Sequence, residues 1–132
     1  MEHCQNNLRK LRSELTKFSE SRIRQIMRDV CTGLKFLHNQ DLVHLGLKPE
    51  NILYSMTRKY KIADLGISKI KIAHSGELTE GDFRYTAPEL LTSVVDNEIS
   101  DFTKADIYSF GVIIYELMTG NKAKSAQDLN FY

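Results

Sequence analysis

One segment constrains this chain more than any other. From Thr103 to about Thr119, apolar residues occupy nearly every helical position: Ile107, Tyr108, Phe110, Val112, Ile113, Ile114, Tyr115, Leu117 and Met118. A helix apolar on all sides has to be buried, so the spacing predicts a central post around which the rest of the domain packs. Thr103-Lys104-Ala105-Asp106 reads as a capping-box-like start, and Gly120 is placed to end the helix. With 132 residues the chain is long enough to build one core around such a post.

The elements that could surround it are legible upstream. Leu8, Leu11, Leu15 and Phe18 recur at three- and four-residue steps and suggest a short amphipathic helix. A longer one follows, with Ser19 as N-cap and a stripe of Ile23, Ile26, Met27, Val30, Leu34 and Leu37. Arg22, Arg24, Arg28, Asp29 and Lys35 lie off that stripe, and His38 falls in the last turn, where a cation suits the helix dipole. Helical period is then lost. Pro49 cannot sit inside a helix, and Asn51–Tyr54 and Tyr60–Ala63 read as small strands around a turn. From Asp64 to Glu89 no period is sustained, and Gly66, Gly76, Gly81 and Pro88 punctuate a loop of a length that is usually functional or disordered.

Composition narrows the class of function. Eighteen basic and seventeen acidic residues are interspersed, for a net charge of +1. That argues against a nucleic-acid or membrane surface, both of which need clustered basic charge. The longest apolar stretch, Gly111-Val112-Ile113-Ile114-Tyr115, is far short of the roughly 20 residues of a membrane span. The amino terminus has no apolar signal core. Cys4 and Cys31 are far apart and fit no metal-ligand pattern, so they read as reduced thiols of an intracellular protein, nuclear or cytoplasmic.

Four islands carry chemistry, in order: His44-Leu45-Gly46-Leu47-Lys48-Pro49-Glu50-Asn51, Asp64-Leu65-Gly66, Ala87-Pro88-Glu89 and Asp106-Ile107-Tyr108-Ser109-Phe110-Gly111. Each alone is weak. Together, at this spacing, they resemble a eukaryotic protein kinase from just after the interlobe hinge through the large central helix. The resemblance covers residues 1–132 as a partial kinase domain: post-hinge helix, catalytic loop, activation segment and central helix. It implies an α+β, mainly α fold, the kinase C-terminal lobe, with the small β-rich lobe and the last helices missing. Leu45 after His44, Asp82 ahead of Arg84-Tyr85-Thr86-Ala87-Pro88-Glu89, and Lys104-Ala105-Asp106-Ile107 are similar to the Wee and Myt mitosis-inhibitory kinases. That likeness implies a protein substrate, with a cyclin-dependent kinase as the candidate.

What the resemblance assigns has a physical logic. Phosphoryl transfer passes through a loose, highly charged transition state, so the protein mainly positions groups and neutralises charge. Asn51 and Asp64 match the two metal-binding positions, offering hard oxygen ligands to Mg2+ beside the phosphates of ATP. Lys48 matches the lysine that holds the transferring phosphate. Gly66 gives the backbone freedom to swing Asp64. Asp106 is either the end of a capping box or a carboxylate that bonds the catalytic-loop backbone. His44 reads as a packing residue rather than an acid or base. Glu89 matches a glutamate whose arginine partner lies beyond Tyr132.

Two departures follow. Gly46 stands where the family has the aspartate that accepts the substrate hydroxyl's proton, and general-base help is worth ~10²–10⁴-fold. Asp41 and Glu50 are near in sequence, but the loop geometry that the resemblance implies points neither at the hydroxyl; Asp82 should lie beside Lys48, as a salt bridge or, less simply, as a rescuing base. No Gly-x-Gly-x-x-Gly loop is present either, so the adenine and triphosphate would meet a floor without a roof. The expectation is no Mg-ATP binding tighter than the millimolar range, about −4 kcal/mol; micromolar binding in a calorimetric titration would contradict it. The chain therefore reads as a kinase-like lobe that is inactive as it stands. The alternatives are a pseudokinase interaction module and a truncated gene model of an active kinase. Ser68, Ser75, Thr79, Tyr85 and Thr86 could each accept phosphate, but Leu45 cannot grip one as arginine would, so loop phosphorylation is not expected to be the on-switch.

Overall fold

The structure, a computed structural model, describes residues 4–15, 17–65, 69–70, 83–92 and 101–125. Gly66, Ser68, Ser75, Thr79 and Asp82 lie outside the described residues. In chain order the elements are β1 (Cys4–Asn7), α1 (Leu8–Glu14), α2 (Glu20–Asn39), β2 (Leu42–Val43), a 3-10 turn at Pro49–Asn51, β3 (Ile52–Ser55), β4 (Tyr60–Ile62), β5 (Lys69–Ile70), α3 (Pro88–Thr92) and α4 (Thr103–Thr119). Helices dominate, and the sheets are small. An antiparallel three-stranded sheet has the order β1-β3-β4, and β2 pairs antiparallel with β5.

Local chemistry explains most boundaries. The Asn7 side chain accepts from the Lys10 amide at 2.9 Å and so caps α1. The expected helix through Phe18 stops at Glu14, and Phe18 instead enters the core from the connection to α2. Ser19 caps α2 as predicted, accepting from the Arg22 amide at 3.3 Å. The buried stripe of α2 is narrower than predicted: Ile26, Val30, Leu34 and Leu37 are inside, while Met27, one residue round from Ile26, is exposed.

α2 lies along β4 with matched spacing. Gln25 hydrogen-bonds the Arg58 carbonyl, Asp29 Oδ2 accepts from the Tyr60 amide at 3.0 Å, and Gly33 sits against Ile62. Four helical residues advance ~6 Å and two strand residues advance nearly the same, so the contacts repeat along both elements. At Gly33 an added Cβ would come within 3.0 Å of the Ile62 side chain, so glycine is what allows the close approach.

α4 is buried along one stripe, Ala105, Ser109, Phe110, Ile113 and Leu117, together with the charged Asp106 and Glu116. Its opposite face is exposed at Ile107, Tyr115 and Met118, so among the described residues the post is surrounded on one side only. The capping-box expectation is also corrected. Thr103 is the first helical residue, not the cap, and its amide and hydroxyl both go to Asp101 Oδ1. Gly120 ends the helix at φ 74°, a left-handed conformation that glycine adopts without a Cβ penalty.

Candidate active site

The loop 44–51 is held in shape from below by α4. Asp106 is fully buried; its Oδ2 accepts from the His44 amide at 2.9 Å and its Oδ1 from the Leu45 amide at 2.8 Å. His38 Nε2, from the end of α2, meets Oδ2 at 2.8 Å. Asp106 therefore bonds the loop backbone and takes no part in capping α4, which resolves the two roles left open by the sequence. Leu45 is left-handed at φ 57°, a conformation that costs a non-glycine residue roughly 1–2 kcal/mol; the Asp106 bond to its amide holds it there.

Inside the loop, each polar group of His44 has one assignment. Its Nε2 faces the Ala63 carbonyl at 3.0 Å, and a carbonyl only accepts, so Nε2 carries the proton. Nδ1 accepts from the Gly46 amide at 3.2 Å. With both nitrogens engaged and the side chain fully buried, His44 is structural.

Gly46 is fixed from both sides. Its amide donates to His44, and its carbonyl accepts from Asn51 Nδ2 at 2.8 Å. With Asn51 Nδ2 engaged by the Gly46 carbonyl, Oδ1 is the atom this side chain could offer a cation. The Asn51 carbonyl accepts from the Ala63 amide at 2.8 Å, and Ile52 pairs with Ile62 across β3 and β4. This hairpin carries Asp64 to the loop although thirteen residues of sequence separate it from Asn51 (64 − 51). Asp64 is exposed and left-handed at φ 63°. Among the described residues neither the Asp64 carboxylate nor the half-buried Lys48 ammonium has a hydrogen-bond or ion-pair partner.

The predicted site residues Gly46, Lys48, Asn51 and Asp64 thus belong to one loop-and-hairpin unit. No cluster of three or more His, Cys, Asp or Glu side chains among the described residues could hold a metal. The donor set of Asn51 and Asp64 fits Mg2+, which takes one or two protein oxygens and completes its shell with phosphates and water. Glu50 is tied up: one of its oxygens pairs with Arg9, and the other is buried. The suggested pairing of Asp82 with Lys48 lies outside the described residues.

The sequence missed a second cluster. Glu116 is buried in α4, and its Oε2 receives Arg12 Nη1 at 2.6 Å and the Tyr85 hydroxyl at 2.9 Å. The signal was present: an acid set within the apolar run from Phe110 to Met118. Tyr85 is also removed as a phosphate acceptor, since its hydroxyl is buried on Glu116. Leu45 packs against a smaller apolar cluster formed by Ala87, Leu90 and Ala105, with Phe102 and Tyr108 at its edge.

Comparison with known proteins agrees with this geometry. The family model described as protein kinase domain matches residues 1–130. The chain is 36% identical over 103 residues to the mitosis inhibitor protein kinase wee1 of Schizosaccharomyces pombe, covering 78% of the chain and 11% of that protein. It is 38% identical over 120 residues to the membrane-associated tyrosine- and threonine-specific cdc2-inhibitory kinase of Drosophila melanogaster, covering 89% and 21%. It is also 42% identical over 108 residues to serine/threonine-protein kinase 17A of Oryctolagus cuniculus, covering 78% and 26%. The chain therefore spans about a quarter or less of these relatives' own length.

Proposed function

The chain belongs to the protein kinase domain family, and on that premise we propose that it is the acceptor-side lobe of a Wee-like kinase whose phosphotransfer is silenced at one position, Gly46. The observation that carries this is the state of the loop around Gly46. Its amide and carbonyl are both bonded within the loop, and its φ is not in the left-handed region. The loop keeps its form without a side chain at 46, and what it lacks is the group that takes the proton of the acceptor hydroxyl. Lys48, Asn51 and Asp64 are the residues that would hold ATP with Mg2+, which when bound supplies charge neutralisation at the transferring phosphate.

Likeness to the mitosis inhibitor kinases supports a protein hydroxyl as the acceptor, cell-cycle control as the setting and a cyclin-dependent kinase as the partner. Two unbridged cysteines are compatible with a nuclear or cytoplasmic location. No helix among the described residues is long and apolar enough to cross a membrane.

The test compares Gly46 with Gly46→Asp in this chain joined to the flanking kinase segments of a relative, on a tyrosine peptide. The aspartate version gains at least ~10²-fold in turnover, as base and orientation return together. Nucleotide affinity stays the same, because position 46 is not a metal ligand. Gly46→Asn recovers much less, since an amide orients a hydroxyl but cannot take its proton. Equal turnover for glycine and aspartate would overturn the proposal. A dead aspartate form that still binds nucleotide would point instead to an interaction module.

A further inference from the structure

Glu116 gathers contacts from three other parts of the chain. Oε2 takes Arg12 Nη1 at 2.6 Å and the Tyr85 hydroxyl at 2.9 Å. Oε1 takes the Ala123 amide at 2.7 Å, with Arg84 Nη1 at 3.5 Å. Arg12 also donates through Nη2 to the Gly120 carbonyl at 3.2 Å, fastening α1 to the end of α4. A buried carboxylate is retained only where donors and counter-charge satisfy it, and Arg12 is the nearer of the two guanidinium groups.

We propose that Arg12 is a positioning residue: by holding Glu116 it fixes Tyr85, and with it the segment 83–87 that leads into α3 and walls the acceptor side of the site. Only the acceptor role rests on the kinase reading above; the linkage stands on the contacts alone. Tyr85 is also met at its carbonyl by the Ser109 hydroxyl at 2.6 Å. That hydroxyl also faces the Ala105 carbonyl at 2.9 Å. One hydroxyl proton serves one carbonyl at a time, so this hold is shared. Without Arg12, the remaining cation is Arg84, which stacks over the Tyr85 ring at 5.3 Å and approaches the other carboxylate oxygen. The carboxylate then has reason to turn away from the Tyr85 hydroxyl.

Hydrogen–deuterium exchange on the intact chain tests this without requiring activity. Arg12→Met is expected to speed exchange of the amides at 84–87 and at Ala123 by about tenfold or more, while β3 and β4 amides change less than about twofold. Arg12→Lys restores most of the protection. Tyr85→Phe produces the same rise at 84–87, and adding Arg12→Met to it produces no further rise there, because both remove one linkage. No change at 84–87, or an equal rise across β3 and β4, would overturn the proposal, the second outcome meaning that Arg12 merely stabilises the fold. Should Arg12→Met fail to fold, Arg12→Gln combined with Tyr85→Phe decides: non-additive exchange at 84–87 supports the linkage and additive exchange refutes it. A positive exchange result beside an inert Gly46→Asp chimera would uphold the linkage and remove only the acceptor role.

Discussion

Asp106 has no exposed surface and accepts from two consecutive backbone amides, so its carboxylate is the template on which His44 and Leu45 are shaped. Asp106→Ala would leave both amides and His38 without their acceptor in a dry site. The expected loss is about 3–5 kcal/mol in chemical denaturation, the range for removing one member of a buried charged cluster. Asp106→Asn keeps one acceptor oxygen and should lose less. A loss below about 0.5 kcal/mol for the alanine variant would mean that the loop holds its own form. Tyr60 makes the opposite case. Its hydroxyl is buried with no well-formed hydrogen bond, and burial pushes its pKa above the ordinary value of about 10, outweighing the lowering pull of the neighbouring Arg22 guanidinium. The folded state keeps this proton where the unfolded chain releases it. The associated stability is therefore fully present below pH about 10 and is lost as pH rises beyond that. Tyr60→Phe should be neutral or stabilising at pH 7 and should weaken the alkaline fall of the denaturation midpoint; a loss of more than about 1 kcal/mol at pH 7 would show a hydrogen bond at that hydroxyl.

Among the elements, α3 and the start of α4 are joined to the catalytic loop by apolar contact at Leu45 rather than by charge. Placing Leu45→Arg there would set a guanidinium against Ala87, Leu90 and Ala105, and should cost about 1–3 kcal/mol of stability. In the Gly46→Asp chimera, acidic substitution at Thr86 is expected not to raise turnover, since no arginine follows His44 to receive a phosphate. A strong rise would break that expectation. The legibility of these elements follows from how local their causes are. The Ser19 cap, the β3–β4 pair and the Gly120 stop are set by neighbours within a few residues and are found where the sequence put them, and the stripe of α2 is found without Met27. β1 was not foreseen, because Cys4–Asn7 lacks alternation and becomes a strand only by pairing with β3 some fifty residues on. The capping box failed because Thr-x-x-Asp describes a local fit, whereas Asp106 is drawn off by amides 61 and 62 positions away.

At the scale of the whole molecule, the grouping of Gly46, Lys48, Asn51 and Asp64 in one loop-and-hairpin unit could be expected because four short islands fix their order, while the buried ion cluster could not, since Arg12 and Glu116 lie 104 positions apart. The all-round apolar character of α4 was legible too, and it carries a consequence for the isolated chain. Ile107, Tyr115 and Met118 are each at least half exposed. Gly111 lies between them on the same stripe, with open space where a Cβ would be. The stripe from Ile107 to Met118 runs about 16 Å along the helix. A continuous apolar strip of that length is a surface that water disfavours, and a second copy of the chain can cover it. The purified chain should therefore self-associate as concentration rises, to be read by sedimentation velocity or light scattering. Ile107→Lys combined with Met118→Lys should shift it toward monomer. Because both side chains point away from the core, the denaturation midpoint measured under monomeric conditions should move by no more than about 0.5 kcal/mol. If the unsubstituted chain stays monomeric at high concentration, residues outside the described set cover this face, and the double substitution should then destabilise the fold by well over that amount.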